Sequence, residues 1–342
     1  MKRRKWVKTS FVLGSILLVS ALIILGISGA ASAKVVELSL NHWFPSGSWF
    51  DKVIKDFAAA IEKQTSGQVK ITIYPGGILT KVDQVYDGVV KGISDIGVAP
   101  VNITLGRFPL MEVIDLPIGL SSSWQGSHVS SEIYKKFHPK EFAETKPLYF
   151  FSSVPQHFHT QKQIDKLEDL KGLKIRSVPT CANIVESLGA IPVTMPITDV
   201  YTALQRGTVE GLVTSLEPLK TFKLAEVIKS TTICNLSVGL IYVTMNRDKW
   251  AGLSPEAKKS FDEVSEKFAD ITSRVFDEND LVGKNFSLSL GNKVITLPPE
   301  ELKRWEEHYQ PILNKWVAEN EAKGLPARAV LDEVFKLKEK YR

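Results

Sequence analysis

An arginine at the end of a short predicted strand has the residue type and position of an anion-binding group. The run Leu173-Lys174-Ile175-Arg176-Ser177 alternates apolar and basic side chains, which predicts a half-buried strand. Side chains at the carboxyl ends of strands in an open α/β sheet face the crevice in which ligands bind. A guanidinium there offers a planar, permanently charged fork that matches a carboxylate. The residues alone leave open an alternative, a structural salt bridge between Arg176 and Glu186.

Three histidines also have side chains that suit binding chemistry. His157 and His159 lie on one face of a predicted extended segment, which could begin a metal site, but the sequence places no third ligand beside them. We therefore expect them to act as hydrogen-bonding groups in a cleft. His42 follows the end of a predicted strand, and the sequence leaves open whether it contacts a ligand or closes a loop.

Motifs of catalysis and of phosphate binding are missing from the sequence. No G-x-S-x-G run is present to supply a nucleophile. Gly76-Gly77 follows a predicted strand but belongs to neither a dinucleotide-binding nor a Walker pattern. We predict no catalytic residue, no metal and no cofactor.

The first residues have the pattern of an export signal. Met1 to Lys5 is basic, Phe11 to Ile27 is apolar, and Ala31-Ser32-Ala33 forms a small-x-small site. This order predicts a secretory signal peptide in residues 1–33 and a periplasmic protein. Because the apolar run approaches membrane-spanning length, an uncleaved membrane anchor is the alternative.

The basic character of the chain belongs to that signal. The formal charge of the whole chain is +5, and residues 1–33 hold five of the 43 basic side chains and no acidic one. The remaining 38 basic side chains balance 38 acidic ones. A neutral chain does not support nucleic-acid binding, which needs a basic surface.

The elements that would position these side chains alternate between strand and helix. A strand from Val35 to Leu40, a helix with an apolar stripe that begins at Phe50, and a strand from Val69 to Ile73 form a βαβ unit. The 309 residues that follow the signal exceed one average core and predict two lobes. Cys181 and Cys234 could pair in an oxidising compartment, but a chain of this size needs no disulfide, which favours unpaired buried thiols.

A short internal similarity supports two related halves. Tyr86 is followed by Lys91, Gly92 and Asp95, and Tyr201 is followed at the same offsets by basic, glycine and acidic residues. Both stretches predict a helix that ends at a glycine and leads directly into a strand. A chance match between two common connections is the alternative.

Several motifs around Arg176 together resemble those of one protein family. The run Asp169-Leu170-Lys171-Gly172-Leu173-Lys174-Ile175-Arg176 and the later run Leu188-Gly189-Ala190-Ile191-Pro192-Val193 are similar to the substrate-binding proteins of TRAP (tripartite, ATP-independent, periplasmic) transporters, the DctP-like family. The resemblance extends from about residue 38 to about residue 250. The matching residues outside the two runs are Tyr201, Leu204, Gly207 and Glu210-Gly211.

The resemblance implies an α/β fold of the two-lobed periplasmic binding protein type, with hinge strands between the lobes and a long helix that spans both. We expect residues 34–154 and 241–281 in lobe I, and residues 155–240 and 282–342 in lobe II. A long amphipathic helix is predicted from Pro255 to about Leu281, and the resemblance makes it the spanning helix.

The resemblance also implies binding and delivery rather than catalysis. Such a protein captures a small organic acid and delivers it to a TRAP membrane permease driven by an ion gradient, and the arginine of the K-I-R motif holds the ligand's carboxylate. That role falls here to Arg176. The expected partners are the organic acid and the permease subunits, with the protein itself a monomer. A binding protein of another transporter class, such as an ABC transporter, is the alternative, and an exported enzyme is a more distant one.

Two departures from the family pattern narrow the expected ligand. Gln156 stands where some members carry a second arginine, and Thr214 stands where many carry asparagine. Both departures argue against recognition of a sialic acid and favour a simpler carboxylate as the ligand. We expect aromatic side chains that include Phe44 to enclose the rest of that ligand. The residues expected to bind the ligand are Arg176, Gln156, His157, Phe158, His42, Trp43, Asn102, Phe108, Thr214, Ser215 and Glu217.

Overall fold

Two β-sheets organise residues 35–342, which are the residues that the computed structural model describes. The export signal predicted for residues 1–33 lies outside them. The strands are β1 (Val36–His42), β2 (Val69–Tyr74), β3 (Ile96–Pro100), β4 (Thr145–Ser152), β5 (His157–Thr160), β6 (Lys174–Ser177), β7 (Ile191–Thr194), β8 (Gly211–Thr214), β9 (Ser230–Ile233), β10 (Leu240–Asn246) and β11 (Lys293–Thr296). The α-helices are α1 (Trp49–Gln64), α2 (Val85–Val90), α3 (Ser123–Phe137), α4 (Ala182–Ser187), α5 (Ile197–Gln205), α6 (Pro218–Thr221), α7 (Arg247–Ala251), α8 (Pro255–Ser289), α9 (Pro299–Glu321) and α10 (Ala327–Lys340).

Each sheet forms the centre of one lobe. The first has the strand order β2-β1-β3-β10-β4, and the second has the order β11-β9-β5-β8-β6-β7. β1 runs parallel to β3, and β10 runs antiparallel to both of its neighbours. In the second sheet, β6 runs parallel to β7 and β8, whereas β5 runs antiparallel to β8 and β9. The mixed α/β, two-lobed fold predicted from the sequence is confirmed.

The local sequence explains why the first helix forms where it does. The hydroxyl of Ser48 accepts the N–H of Asp51 at 3.2 Å and so caps the first turn of α1. Phe50, Phe57 and Ile61 then recur at helical spacing and are fully buried. This apolar stripe fixes the helix against the first lobe and places its N-terminal turn at the cleft between the lobes.

The chain crosses between the lobes twice by neighbouring extended segments. The first crossing joins β4 to β5 and the second joins β9 to β10. The two segments pair with each other, because the N–H of Ser153 donates to the carbonyl of Gly239 and the N–H of Gln156 donates to that of Ser237, both at 2.8 Å. These segments are the hinge strands that the sequence predicted.

The 35-residue helix α8 is the third connection and spans both lobes, as predicted. In the first lobe Asp277 accepts the N–H groups of Ser123 (2.7 Å) and Trp124 (3.1 Å) at the start of α3. One turn later Asp280 accepts the N–H groups of Leu216 and Glu217 in the second lobe. The attachment of α8 therefore changes from one lobe to the other within a single turn.

The repeated helix–glycine–strand unit occurs in both lobes. α2 is followed by Gly92 at φ 72° and α5 by Gly207 at φ 67°, a left-handed conformation that glycine adopts at low cost. The strands that follow, β3 and β8, lie in the interiors of their sheets. The similarity in sequence thus corresponds to equivalent positions in the two sheets.

The C-terminal helix differs from its predicted place. We expected residues 282–342 in lobe II, and α9 does pack there, since Trp305 contacts Phe158 of β5 at 5.5 Å between ring centres. α10, however, packs on α3 of the first lobe, where Gln125 Nε2 donates to the carbonyl of Lys338 at 2.9 Å and Lys338 Nζ donates to that of Ile118 at 3.0 Å. The other lobe boundaries stay predictions.

Two further features of residues 35–342 bear on the sequence analysis. Cys181 and Cys234 are both buried and unpaired, as predicted for a chain with a sufficient core. No helix in this part of the chain combines the length and the hydropathy needed to cross a membrane.

Candidate ligand-binding site

A cavity lies between the two sheets, at the carboxyl ends of β6 and β8. Its empty volume is about 700 Å³, counting the solvent at its mouth. Both lobes, the crossing segments and α8 contribute to its wall. The lining residues are Trp43, Phe44, Val82, Pro100, Asn102, Ile103, Ser153, Gln156, Arg176, Val178, Pro196, Ile197, Val213, Thr214, Ser215, Glu217, Pro218, Phe222, Gly239, Ile241 and Phe276.

Arg176 is the one basic side chain among the described residues of this wall, and it is 3% exposed. Its Nε and Nη2 donate to the carbonyl of Met195 at 2.9 and 2.8 Å. No carboxylate of residues 35–342 forms an ion pair with it, so the alternative of a salt bridge to Glu186 does not hold. Burial lowers the pKa of Arg176 to about 10, and the guanidinium remains charged at neutral pH.

The bond to Met195 orients the guanidinium for a second partner. Nε and Nη2 share one edge of the planar group, and both of their bonds to the carbonyl lie on that edge. The end formed by Nη1 and the other N–H of Nη2 remains available, and it is a two-donor edge that matches a carboxylate. β6 and β7 pair in parallel, with Arg176 opposite Val193, which brings the chain after β7 to this position.

Several polar side chains line the cavity together with Arg176. Asn102 Nδ2 donates to Asp115 Oδ1 at 2.7 Å, which fixes the amide on the wall. Gln156 Oε1 lies 3.8 Å from the thiol of Cys181. Thr214 is the last residue of β8, the strand that pairs with β6, and Ser215 follows it. The wall therefore offers several hydrogen-bonding groups, and the protein orients the amide of Asn102 before a ligand arrives.

Glu217 is the one acidic side chain among the described residues of the wall, and it connects the lobes. Its Oε1 accepts the indole N–H of Trp49 on α1 at 2.6 Å and the hydroxyl of Thr221 on α6. Burial is the main cause that raises its pKa, to about 7, and nearby Asp280 raises it further. Trp49 also packs on Phe276 of α8, with 5.0 Å between ring centres.

Seven of the predicted residues meet at this cavity, and their role in binding stays a prediction. They are Arg176, Gln156, Trp43, Asn102, Thr214, Ser215 and Glu217. The other four lie elsewhere in the structure. They are His157, Phe158, His42 and Phe108.

Two of these corrections concern β5. The side chains of His157 and Phe158 point to opposite faces of the second sheet, and both faces are covered. His157 Nδ1 accepts the N–H of Asn235 at 3.3 Å, and burial together with nearby His159 lowers its pKa to about 3. Phe158 packs edge-on against Trp305. β5 is an interior strand, so these side chains serve the core rather than the cleft.

The other two corrections concern the first lobe. His42 Nε2 lies 3.3 Å from Asp51 Oδ1 beneath α1, and burial lowers its pKa to about 4. This bond to α1 agrees with the alternative in which His42 closes a loop rather than contacts a ligand. Phe108 is fully buried and stacks on Phe142 at 4.8 Å in an aromatic cluster. Its loop approaches the cleft, but the ring points into the lobe.

The residues described here hold no group of three or more histidine, cysteine, aspartate or glutamate side chains arranged for a metal ion. The ring centres of His157 and His159 are 6.4 Å apart. Both ring nitrogens of His159 are engaged: Nδ1 lies 2.9 Å from the hydroxyl of Thr231, and Nε2 lies 3.0 Å from the carbonyl oxygen of Thr214.

Sequence reasoning missed several lining residues, of which Phe276 and Phe222 are the largest. The helix predicted from Pro255 to about Leu281 was assigned no cavity residue, whereas its buried positions in the structure include Thr272 and Phe276. Two steps of four residues from Phe268, through Thr272, reach Phe276. No local signal marks the carbonyl of Met195, because a backbone oxygen carries no residue identity.

The titration of Glu217 gives a stability prediction. Its pKa in the folded protein, about 7, exceeds the ordinary 4.5, so the folded state holds the proton more tightly. The wild type should then lose stability as pH rises from about 4.5 to about 7, and Glu217→Gln should not. The measured quantity is the free energy of unfolding in urea of Glu217→Gln minus that of the wild type. We expect this difference to rise by roughly 1–3 kcal/mol from pH 5 to pH 8. A difference that is independent of pH would contradict the assignment.

The chain is similar to a group of solved and classified proteins. Residues 40–320 match the family model DctP, described as bacterial extracellular solute-binding protein, family 7. A TRAP periplasmic solute-binding protein from Desulfovibrio salexigens is 31% identical, with 90% of this chain and 97% of that chain covered and a TM-score of 0.81. A TRAP solute-binding protein from Rhodoferax ferrireducens, solved with copurified benzoate, is 26% identical with 90% and 98% covered and a TM-score of 0.86. A marine-metagenome TRAP solute-binding protein specific for aromatic acids, solved with 3-hydroxybenzoate, is also 26% identical, with 90% and 99% covered and a TM-score of 0.86.

Proposed function

Because this chain belongs to family 7 of the bacterial extracellular solute-binding proteins, the DctP family, we propose that it captures one small organic acid and delivers it to the membrane permease of a TRAP transporter. The family itself, which the motifs around Arg176 predicted, is confirmed. Its neighbours are solute-binding proteins, and the proposed role is binding and transfer without catalysis.

The observation that carries the proposal is the buried guanidinium of Arg176 on the cavity wall. A buried charge is costly unless a partner of opposite charge balances it. In residues 35–342 its hydrogen bonds go to a neutral carbonyl, and its two-donor end has no acid partner. A ligand carboxylate supplies that partner and forms two parallel, charge-assisted hydrogen bonds.

The composition of the wall indicates the kind of acid. Arg176 is the single basic group on the described part of the wall, which suits one carboxylate rather than two. Aromatic rings from both lobes, namely Trp43, Phe44, Phe222 and Phe276, supply apolar surface for the rest of the ligand. The relatives solved with benzoate and 3-hydroxybenzoate agree with this chemistry. We propose a monocarboxylate with an apolar, ring-sized body.

Binding would proceed by closure of the two lobes about the crossing segments. Lobe I would hold residues 34–154 and 241–281 and lobe II residues 155–240 and 282–326, with α10 on lobe I. A hinge of extended segments allows one lobe to rotate on the other. We place the monomeric protein in the periplasm, since its family is extracellular, with residues 1–33 as the export signal.

A comparison of charged and neutral ligands tests the proposal. Isothermal titration of the purified protein would use benzoate, phenylacetate and pentanoate, each beside its neutral amide. We expect at least one acid to bind, and its amide to bind about 10- to 100-fold more weakly, because the amide cannot balance the charge of Arg176. An amide that binds as well as its acid, or the absence of binding by every acid, would contradict the proposal.

A further inference from the structure

Glu217 carries a carboxylate oxygen that the protein leaves without a partner. The side chain is 2% exposed, and its Oε1 is occupied by the donors of Trp49 and Thr221. Oε2 is buried and has no hydrogen-bond partner in residues 35–342. Nine in ten or more buried polar groups in proteins are paired, so an unpaired acceptor on a residue that lines a cavity needs an explanation.

The position of this side chain is fixed by its loop. Asp280 Oδ1 accepts the N–H of Leu216 at 2.8 Å and that of Glu217 at 3.0 Å. Helix α8 passes so close that a β-carbon at Gly283 would lie 2.1 Å from the carbonyl oxygen of Leu216. Glu217 therefore cannot shift with its backbone to find another donor.

The hydrogen bond from Trp49 to Glu217 does not by itself explain why position 217 is a glutamate. A glutamine at position 217 would accept the same indole N–H of Trp49 with its carbonyl oxygen, and it would bury no ionisable group. Burial of a second, ionisable oxygen without a donor works against folding. A bound ligand that donates to this oxygen would offset that cost.

We propose that Oε2 of Glu217 accepts a hydrogen bond from a hydroxyl or amino group of the bound acid, so that the site selects acids that carry such a donor apart from their carboxylate. The inference rests on the proposed function, in which Arg176 binds the carboxylate. Arg176 and Glu217 come from the neighbouring parallel strands β6 and β8 and the loop after β8, and both line the cavity. One ligand between them satisfies the unpaired group of each.

Glu217→Gln converts this acceptor into a donor with little change in size. The N–H of Trp49 and the hydroxyl of Thr221 hold an oxygen at the position of Oε1, which places the new NH2 group at the position of Oε2. The exposed Glu226, which accepts the hydroxyl of Tyr201 at 3.1 Å on the same lobe, provides the matched control Glu226→Gln.

The probes are acids that differ only in the donor, and they would be titrated at pH 8, where the Glu217 carboxyl is mostly ionised and Oε2 is an acceptor. The 3- and 4-hydroxybenzoates would be compared with 3- and 4-methylbenzoate, the 3- and 4-(aminomethyl)benzoates with 3- and 4-ethylbenzoate, and 5-hydroxypentanoate with hexanoate. We expect one donor-bearing acid to bind the wild type about 10- to 100-fold more tightly than its methyl counterpart. In Glu217→Gln that preference should fall below about threefold, and the loss should be larger for an ammonium donor than for a hydroxyl donor. The control Glu226→Gln should retain the wild-type preference.

The outcomes separate this inference from the proposed function. Binding of the methyl acids with no gain from a hydroxyl or amino group would overturn the role of Glu217 and leave the role of Arg176 in place. A preference that persists in Glu217→Gln would overturn it as well. Failure of all acids to bind would overturn both. If Glu217→Gln does not fold, the wild-type series alone tests whether the site prefers a donor-bearing acid. If it folds, unchanged affinity for the methyl acids shows that its binding site is intact.

Discussion

Arg176→Ala is expected to weaken the binding of a carboxylate ligand by about 30- to 150-fold, which corresponds to roughly 2–3 kcal/mol. The reason is the loss of the one positive charge that the described residues place on the cavity wall. Arg176→Lys should give an intermediate affinity, because an ammonium restores the charge but cannot bond the Met195 carbonyl along one edge and a carboxylate along another. Titration calorimetry with the tightest-binding acid measures both variants.

The matched control is Arg206→Ala. Arg206 is exposed at the end of α5, so its removal changes the net charge by the same amount without touching the cavity. Its affinity for the acid should stay within about twofold of the wild type, because exposed charges are screened by solvent and salt. An equal loss in Arg206→Ala would mean that the effect is one of overall charge.

Stability distinguishes a binding role from a structural one. Arg176→Ala removes two hydrogen bonds to Met195 but also removes a buried charge without an acid partner, and these effects oppose each other. We expect the melting temperature without ligand to change by less than about 5 °C. A large drop in melting temperature together with near-normal affinity would show that Arg176 serves the fold instead.

Gly283→Ala is expected to destabilise the protein by about 1–3 kcal/mol, although alanine ordinarily stabilises a helix interior. The added β-carbon would lie 2.1 Å from the carbonyl oxygen of Leu216 and 2.8 Å from the α-carbon of Glu217. Helix and loop must separate, which displaces Glu217 and lowers ligand affinity as well. Chemical denaturation measures the first effect and calorimetry the second.

Gly252→Ala is the control for this prediction. Gly252 has a right-handed backbone at the end of α7, and a β-carbon there would have contacts of 3.5 Å or more. Its stability should be unchanged or slightly raised. If Gly283→Ala behaved in the same way, the close approach of α8 to the loop after β8 would be disproved.

The sequence was most informative where one short stretch contains both the pattern and the chemistry. The alternation in β6 and the turn after it placed Arg176 at a strand end, and the structure places it on the cavity wall. Trp43, expected among the enclosing aromatic side chains, follows β1, and Thr214, singled out by the family pattern, ends β8; both line the cavity. Local pattern suffices for such positions because strand direction determines which loops converge.

The errors arose where a side chain could take either of two directions. His157 and Phe158 follow a crossing segment, and whether β5 borders the cleft or lies inside a sheet depends on β8 and β9, which come much later in the chain. Phe108 lies in a loop near the cavity, but its ring joins an aromatic cluster with Phe142. The order of strands and the packing of a loop are long-range properties that no local pattern contains.

The strand order of the first sheet has a consequence for the biogenesis of the protein. β10 lies between β3 and β4, yet it comes after all of β5 to β9 in the chain. A growing polypeptide therefore cannot close its N-terminal lobe until Asn246 has been synthesised, and β3 and β4 keep open edges until then. Pairing between such distant segments slows folding and works against folding lobe by lobe during synthesis. For a chain exported as proposed above, this delay would prolong the unfolded state in which a polypeptide can pass through a translocation channel.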